Sequence, residues 1–145
     1  MSLSDWAKAQ WLTEQPSSRD EVRNLLGVAD RDLRDCQIKG LSEDARLAIA
    51  YNGALQSATA ALRAAGYRIG REAHHHRTIL SLEHTIGADS KLIAKFDAFR
   101  KKRNAADYSI AGSTSKKEAD EMTALAQELR KDVEDWVRSR YPELL

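Results

Sequence analysis

The sequence predicts an all-α fold, an up-and-down antiparallel bundle of five to six helices. Three observations predict it. The chain is 42% hydrophobic and 31% charged, rich in alanine and leucine, with only two prolines and seven glycines in 145 residues, which leaves little material for turn-dense β architecture. Apolar residues recur three and four apart in segment after segment. No segment shows the period-two alternation of a half-buried strand. The length fits one domain, residues 1–145, with a short extension helix over 1–15 ahead of a bundle over 18–138. A single cysteine, Cys36, excludes an intramolecular disulfide and a thiolate zinc cage, and its use fits a reducing cytoplasmic interior. No run approaches the roughly 20 apolar residues that span a bilayer, so no membrane partner is expected.

The elements are legible in order. Trp6 and Trp11 mark the extension helix. Ser18, with Glu21 three residues on, has the form of a capping box, and Val22, Leu25, Leu26, Ala29, Leu33 and Cys36 follow at helical spacing to a helix end near Lys39, with Gly40 as the stop. Ser42 caps a third helix whose alanine-rich body ends at Gly66; small side chains on an inner face let a neighbouring helix approach closely. After a YRIG turn, the spacing of His75, Ile79, Leu82 and Ile86 predicts a fourth helix closed by Gly87. Asp89 opens the fifth, and the Ser115–Glu118 box opens a long last helix carrying Met122, Leu125, Leu129, Val133 and Trp136. Short connections make sequential neighbours antiparallel.

Net charge is only +1, which excludes a uniformly basic nucleic-acid binder, but the charge is segregated. Residues 91–117 carry eight Lys/Arg against two Asp/Glu, while 118–145 carry four against eight. The basic stretch centres on Arg100, Lys101, Lys102 and Arg103, either a phosphate-attracting patch or a solvated helix face. Within it, Leu92, Phe96 and Phe99 step by four and three, and the next step lands on Arg103, then Ala106 and Ile110. A cation therefore occupies a core position. An unpaired buried guanidinium costs several kcal/mol, so it must be compensated, by Asp107 one turn on in an ion pair, or by a phosphate met through its planar fork in a cleft or across a subunit interface.

Around this arginine the sequence reads RKKRNAADYSI, and Arg103, Asn104, Asp107 and Tyr108 resemble the signature segment of the HEPN superfamily, small helical domains of prokaryotic toxin pairs and RNA-processing systems. The order of elements over about 18–138 is similar too. The resemblance implies a homodimer with the two motif helices facing across a shared groove. In ribonuclease members the arginine is followed four to six residues later by a histidine, and the pair cleaves RNA without metal. Arg103 matches that arginine, but Tyr108 stands in the histidine's place. A phenol with a pKa near 10 is about three units worse placed than imidazole as a base at pH 7. Some toxins of the superfamily carry a modifiable tyrosine two residues beyond the histidine; here that position is Ile110.

The resulting expectation is an RNA- or nucleotide-binding domain, non-catalytic or weakly catalytic, of toxin–antitoxin or defence type, with no cofactor and with a nucleotidyltransferase antitoxin as an implied partner. Its binding residues are Arg103, Asn104, Asp107, Tyr108, Arg100 and Lys102, the tyrosine offering a ring for a base to stack on. The rivals are a metal-independent endoribonuclease using Arg103 and Tyr108, and a purely structural bundle.

Other candidates carry less. His74, His75 and His76 are consecutive and point about 100° apart on a helix, so they do not converge on a metal; Glu72 and His75 form a Glu-x-x-His spacing without a second copy. His75, on the inner face near the motif, and His76 are support residues and surrogate bases. Cys36 falls on the apolar stripe as a small core residue. Trp6, Trp11 and Trp136 read as core or interface. Gly66 and Gly70 flank a turn without the lysine of a phosphate loop.

Overall fold

The computed structural model describes the side chains of residues 1–104 and 111–145 and the backbone of 105–108. Six α-helices are present among the described residues: α1 (Leu3–Lys8), α2 (Arg19–Asp35), α3 (Glu43–Ala64), α4 (His74–Leu80), α5 (Ser90–Tyr108) and α6 (Lys116–Arg140), with short 3-10 turns at Ser81–Glu83 and Pro142–Leu144. The helical bundle is as predicted, and α3 is its axis. Alanines at 50, 54, 58, 60, 61 and 64 are buried, so α2 and α6 pack closely along it on one side while α4 and α5 cover the other. At Gly53 a Cβ would come within 3.4 Å of the Ala29 carbonyl and of Asp32, which shows how near the α2 backbone lies.

The caps explain where helices begin and end. Ser115 and Glu118 form the full reciprocal box, Glu118 N–H donating to the hydroxyl at 3.0 Å and Ser115 N–H to the carboxylate at 2.9 Å. Ser18 accepts from Glu21 N–H, but the Glu21 carboxylate is drawn away to Ser17, Arg63 and Arg68, so the predicted box is completed on one side only. Helix α2 ends at Asp35, short of the expected Lys39. The Gln37 side-chain amide takes the Leu33 carbonyl at 2.7 Å and Arg46 takes the Cys36 carbonyl at 3.3 Å, removing the acceptors that another turn would use. Cys36 lies in the core as expected, and burial pushes its thiol pKa up.

Two expectations need correction. Residues 1–15 are not one helix, and the YRIG segment is not merely a turn: Leu12–Glu14 (β1) and Tyr67–Ile69 (β2) form an antiparallel pair, Leu12 opposite Ile69 and Glu14 opposite Tyr67. Three-residue strands are too short to show an alternating pattern, and this pair is assembled by tertiary contacts. Trp6, Leu12 and Leu62 pack there as a second apolar cluster, and Trp6 meets Trp11 edge to face at 5.3 Å. The fourth helix is also shorter than predicted. Ala73 enters at φ 48°, ψ 38°, a left-handed conformation uncommon for a residue with a Cβ, and after Leu80 the chain tightens into the 3-10 turn. Hydroxyls from Thr78, Ser81 and Thr85 bond to carbonyls three or four residues back, competing with the helix's own bonds.

Arg63 holds the small sheet to the bundle. Its side chain is sealed, and its guanidinium donates to the carbonyls of Gln15 and Tyr67 at 2.9 Å and of Pro16 at 3.2 Å while pairing with Glu21. Four acceptors thus converge on a single cation at the end of α3. Gly66, just beyond, adopts φ +93°, which lets the chain reverse into β2. Arg63→Ala should destabilise the protein by about 3 kcal/mol, because acceptors arranged for a charge lose it, while Arg68→Ala on the exposed side of Glu21 should cost under about 1 kcal/mol. Urea denaturation of the two variants checks the difference.

Candidate functional site

The predicted anomaly in α5 is real. Phe96 and Phe99 are buried, and Arg103, next on their stripe, is turned inward: its Nε is out of contact with solvent and its guanidinium carbon lies 5.6 Å from the ring centroid of Tyr51. Tyr51 is a fully buried residue of α3. Its ring meets the edge of Phe96 at 5.7 Å and the imidazole of His75 at 6.0 Å, and its hydroxyl is 3.3 Å from His75 Nδ1. One phenol therefore joins α3, α4 and α5 beneath the cationic run.

Above this contact lies a cleft of about 440 Å³ lined by Ala73, His74, His75, His76, Arg100 and Asn104. Its walls are the first turn of α4, entered through the left-handed Ala73, and the middle of α5. His76 Nδ1 is 2.9 Å from Asp97 Oδ1, and Arg100 Nε donates to the same oxygen at 2.7 Å. Asp97 thereby sets the rims of both walls, with Lys101 at 3.8 Å from its other oxygen. Burial opposes charge on Asp97, yet the hydrogen bonds from Arg100 and His76 outweigh it and hold its pKa below the usual carboxylate range.

The two groups at the floor are tuned in opposite senses. Burial pushes the Tyr51 phenol up to about 12, against the pull of the Arg103 and Arg100 charges. Burial also lowers the pKa of His75, and the neighbouring His74, Arg103 and Arg100 lower it further. Near neutral pH the phenol keeps its proton and the imidazole is uncharged. The buried hydroxyl hydrogen needs an acceptor, and His75 Nδ1 is in place to provide it. In the tautomer that lets Nδ1 accept this hydrogen, the proton of His75 sits on Nε2.

Of the predicted residues, the structure brings Arg100, Asn104, His75 and His76 to the cleft and sets Arg103 behind it. Lys102 points elsewhere: its ammonium donates to the Ser113 carbonyl at 2.6 Å and lies 3.5 Å from Glu118, tying α5 to the start of α6. The Gly112 and Thr114 amides donate to Asp44 from the same loop. The side chains of Asp107 and Tyr108, and Ile110, lie outside the described residues. Glu72 is exposed, and among the described residues no three His, Cys, Asp or Glu side chains gather as a metal site requires. Two residues escaped sequence reasoning. Asp97 had a signal, since it lies three positions before Arg100. Tyr51 had a weaker one, as the only aromatic in a long run of small residues.

The fold and the cleft define a small helical domain with a pocket lined by three histidines, Arg100 and Asn104 on one face. The family model of the HEPN domain matches residues 18–136, most of the chain, and the protein belongs to that family. A comparison with curated proteins gave no match. Among the described residues no helix is long and apolar enough to cross a membrane.

The depressed His75 pKa has a thermodynamic consequence. As pH falls below about 6.5 the unfolded chain takes up this proton before the folded one does, so stability present above that pH is lost progressively as pH drops through the lower folded value. His75→Gln should flatten this part of the stability profile, checked by urea denaturation between pH 7.5 and 5.5.

Proposed function

We propose that this HEPN domain binds RNA or a nucleotide in the cleft between α4 and α5, holding phosphate without cleaving the chain, in a toxin–antitoxin or defence setting. The observation that carries the reading is the hydrogen-bonding character of the cleft. Arg100 and Arg103 are cations, the Asn104 amide is a donor, the His75 ring lines the cleft, and the Asp97 carboxylate at its rim is already engaged by Arg100 and His76. Such a site suits the oxygens of a phosphodiester. His74 is exposed at the lip, 5.5 Å edge to face from His75, and offers a surface on which a base can stack.

The same features speak against strand cleavage. Removing a ribose hydroxyl proton needs an acceptor with a pKa near the working pH. Tyr51 holds its proton to about 12, and His75 spends its basic nitrogen on that proton. Tyr108, in the position of the family's histidine, is a phenol as well. In this reading the domain works as a homodimer, the exposed Asn104 and Lys101 leaving the motif helix accessible to a second copy, and a nucleotidyltransferase is its antitoxin.

A second reading, a metal-independent endoribonuclease with Arg103 stabilising phosphate charge and Tyr108 or a nearby histidine handling the proton, draws support from one observation: His75 is kept neutral close to the Arg103 charge, as a base must be. Incubation of the protein with end-labelled single-stranded RNA in EDTA separates the two. The binding reading predicts retention on a filter without cleavage, weakened about ten- to hundred-fold by Arg103→Ala. Cleavage abolished by that substitution would establish the enzyme, and Tyr108→His should raise cleavage if only the base is missing. Weak binding indifferent to Arg103 would leave a purely structural bundle.

A further inference from the structure

On the face away from the histidine cleft, α5 and α6 touch only sparingly, and the first turns of α5 and the middle of α6 leave a groove between them. It consists of two hollows of about 350 and 430 Å³ that share Asp89, Leu92 and Glu128. Along α6 it runs from Glu121 to Trp136, which at 1.5 Å per residue is about 23 Å, or roughly four helical turns. Apolar side chains contribute to its lining at both ends, Leu92 and Leu125 at one and Ile86 and Trp136 at the other.

The walls carry Lys91 and Lys95 with Glu121 at one end and carboxylates toward the other. Glu128, Asp132 and Asp135 step by four and three along the exposed edge of α6, and Asp89 faces them from the start of α5. At the Glu121 end, Lys95 at 3.9 Å and Lys117 at 4.0 Å offset the carboxylate. Toward Trp136 the balance differs: among the described residues no ion pair is made by Asp89, Glu128 or Asp132, and Asp135 has only the exposed Arg138 at 3.9 Å. Leucine, isoleucine and tryptophan side chains beside the carboxylates of Asp89, Glu128, Asp132 and Asp135 complement an amphipathic helix whose apolar stripe is flanked by cations.

We propose that this groove docks a basic amphipathic helix of a partner protein, about four turns long, apolar stripe inward and lysines or arginines along the edge formed by Glu128, Asp132 and Asp135. The negative walls disfavour a nucleic acid. The groove is thus a protein-binding face separate from the phosphate cleft.

The probe is a synthetic 18-residue helical peptide of leucine and lysine, with leucines three and four apart, alongside a scrambled peptide of the same composition and a leucine/glutamate version. Titrated into the full ¹⁵N-labelled protein at low salt, the amphipathic basic peptide should shift amides clustered in residues 86–95 and 121–136. It should bind at least tenfold more tightly than either control. The exposed double variant Glu128→Lys/Asp132→Lys should lose at least tenfold in peptide affinity while retaining wild-type helicity by circular dichroism and wild-type affinity for single-stranded RNA. Peptide affinity within twofold of wild type in that variant, equal binding of the scrambled peptide, or shifts centred elsewhere would overturn the proposal. So would self-association of the wild type that the double variant abolishes, since the occupant would then be a second copy.

Discussion

A single phenol ring organises the functional face of this molecule. Tyr51 is buried in the alanine-rich middle helix and is touched by Phe96 and Arg103 from α5 and by His75 from α4, so three helices register against one side chain. Its apolar edges contribute to the core, its ring face meets the guanidinium, and its hydroxyl lies 3.3 Å from His75 Nδ1. Burial and hydrogen bonding act together here. Burial raises the phenol pKa and lowers that of the imidazole beside it, so both groups are uncharged where they meet near neutral pH.

Two inward-turned arginines are accommodated in different ways. Arg63 is satisfied within the fold, by backbone carbonyls from the segment before α2 and from β2 together with the Glu21 carboxylate, and its task is to clamp the amino-terminal segment onto the bundle. Arg103 lies against an aromatic face at the edge of a cleft, where its charge reaches both Tyr51 and His75. Asp97 performs a related service at the cleft rim, fixing His76 and Arg100 through one oxygen. The segregation of charge along the sequence becomes a division of surfaces, with the cationic middle of α5 at the cleft and the acidic edge of α6 along a separate groove.

Much of this was readable beforehand, for identifiable reasons. Helix periodicity, the Ser42 and Ser115 caps and the stop at Gly66 are local signals, and local signals survive folding. The arginine on the apolar stripe was visible because a continuing three-four step makes a prediction that Arg103 violates. What was missed depends on contacts between distant segments. The β1–β2 pair is drawn together by Arg63, the early end of α2 is imposed by Gln37 and Arg46, and the broken fourth helix follows from hydroxyls bonding to its own carbonyls. Tyr51 and Asp97 belong to the site only because α3, α4 and α5 converge, and no spacing within one helix announces that.

The account rests on His75 being held as a hydrogen-bond donor by the buried phenol, and the ring nitrogens report this directly. In ¹⁵N-histidine NMR of the full chain near pH 7.5, the His75 resonances should show an unprotonated Nδ1 and a protonated Nε2. Addition of single-stranded RNA should move the Nε2–H signal, and Tyr51→Phe should relax the tautomer preference. A protonated Nδ1 with a free Nε2 lone pair, unmoved by Tyr51→Phe, would contradict the account and turn His75 into a base aimed at the cleft.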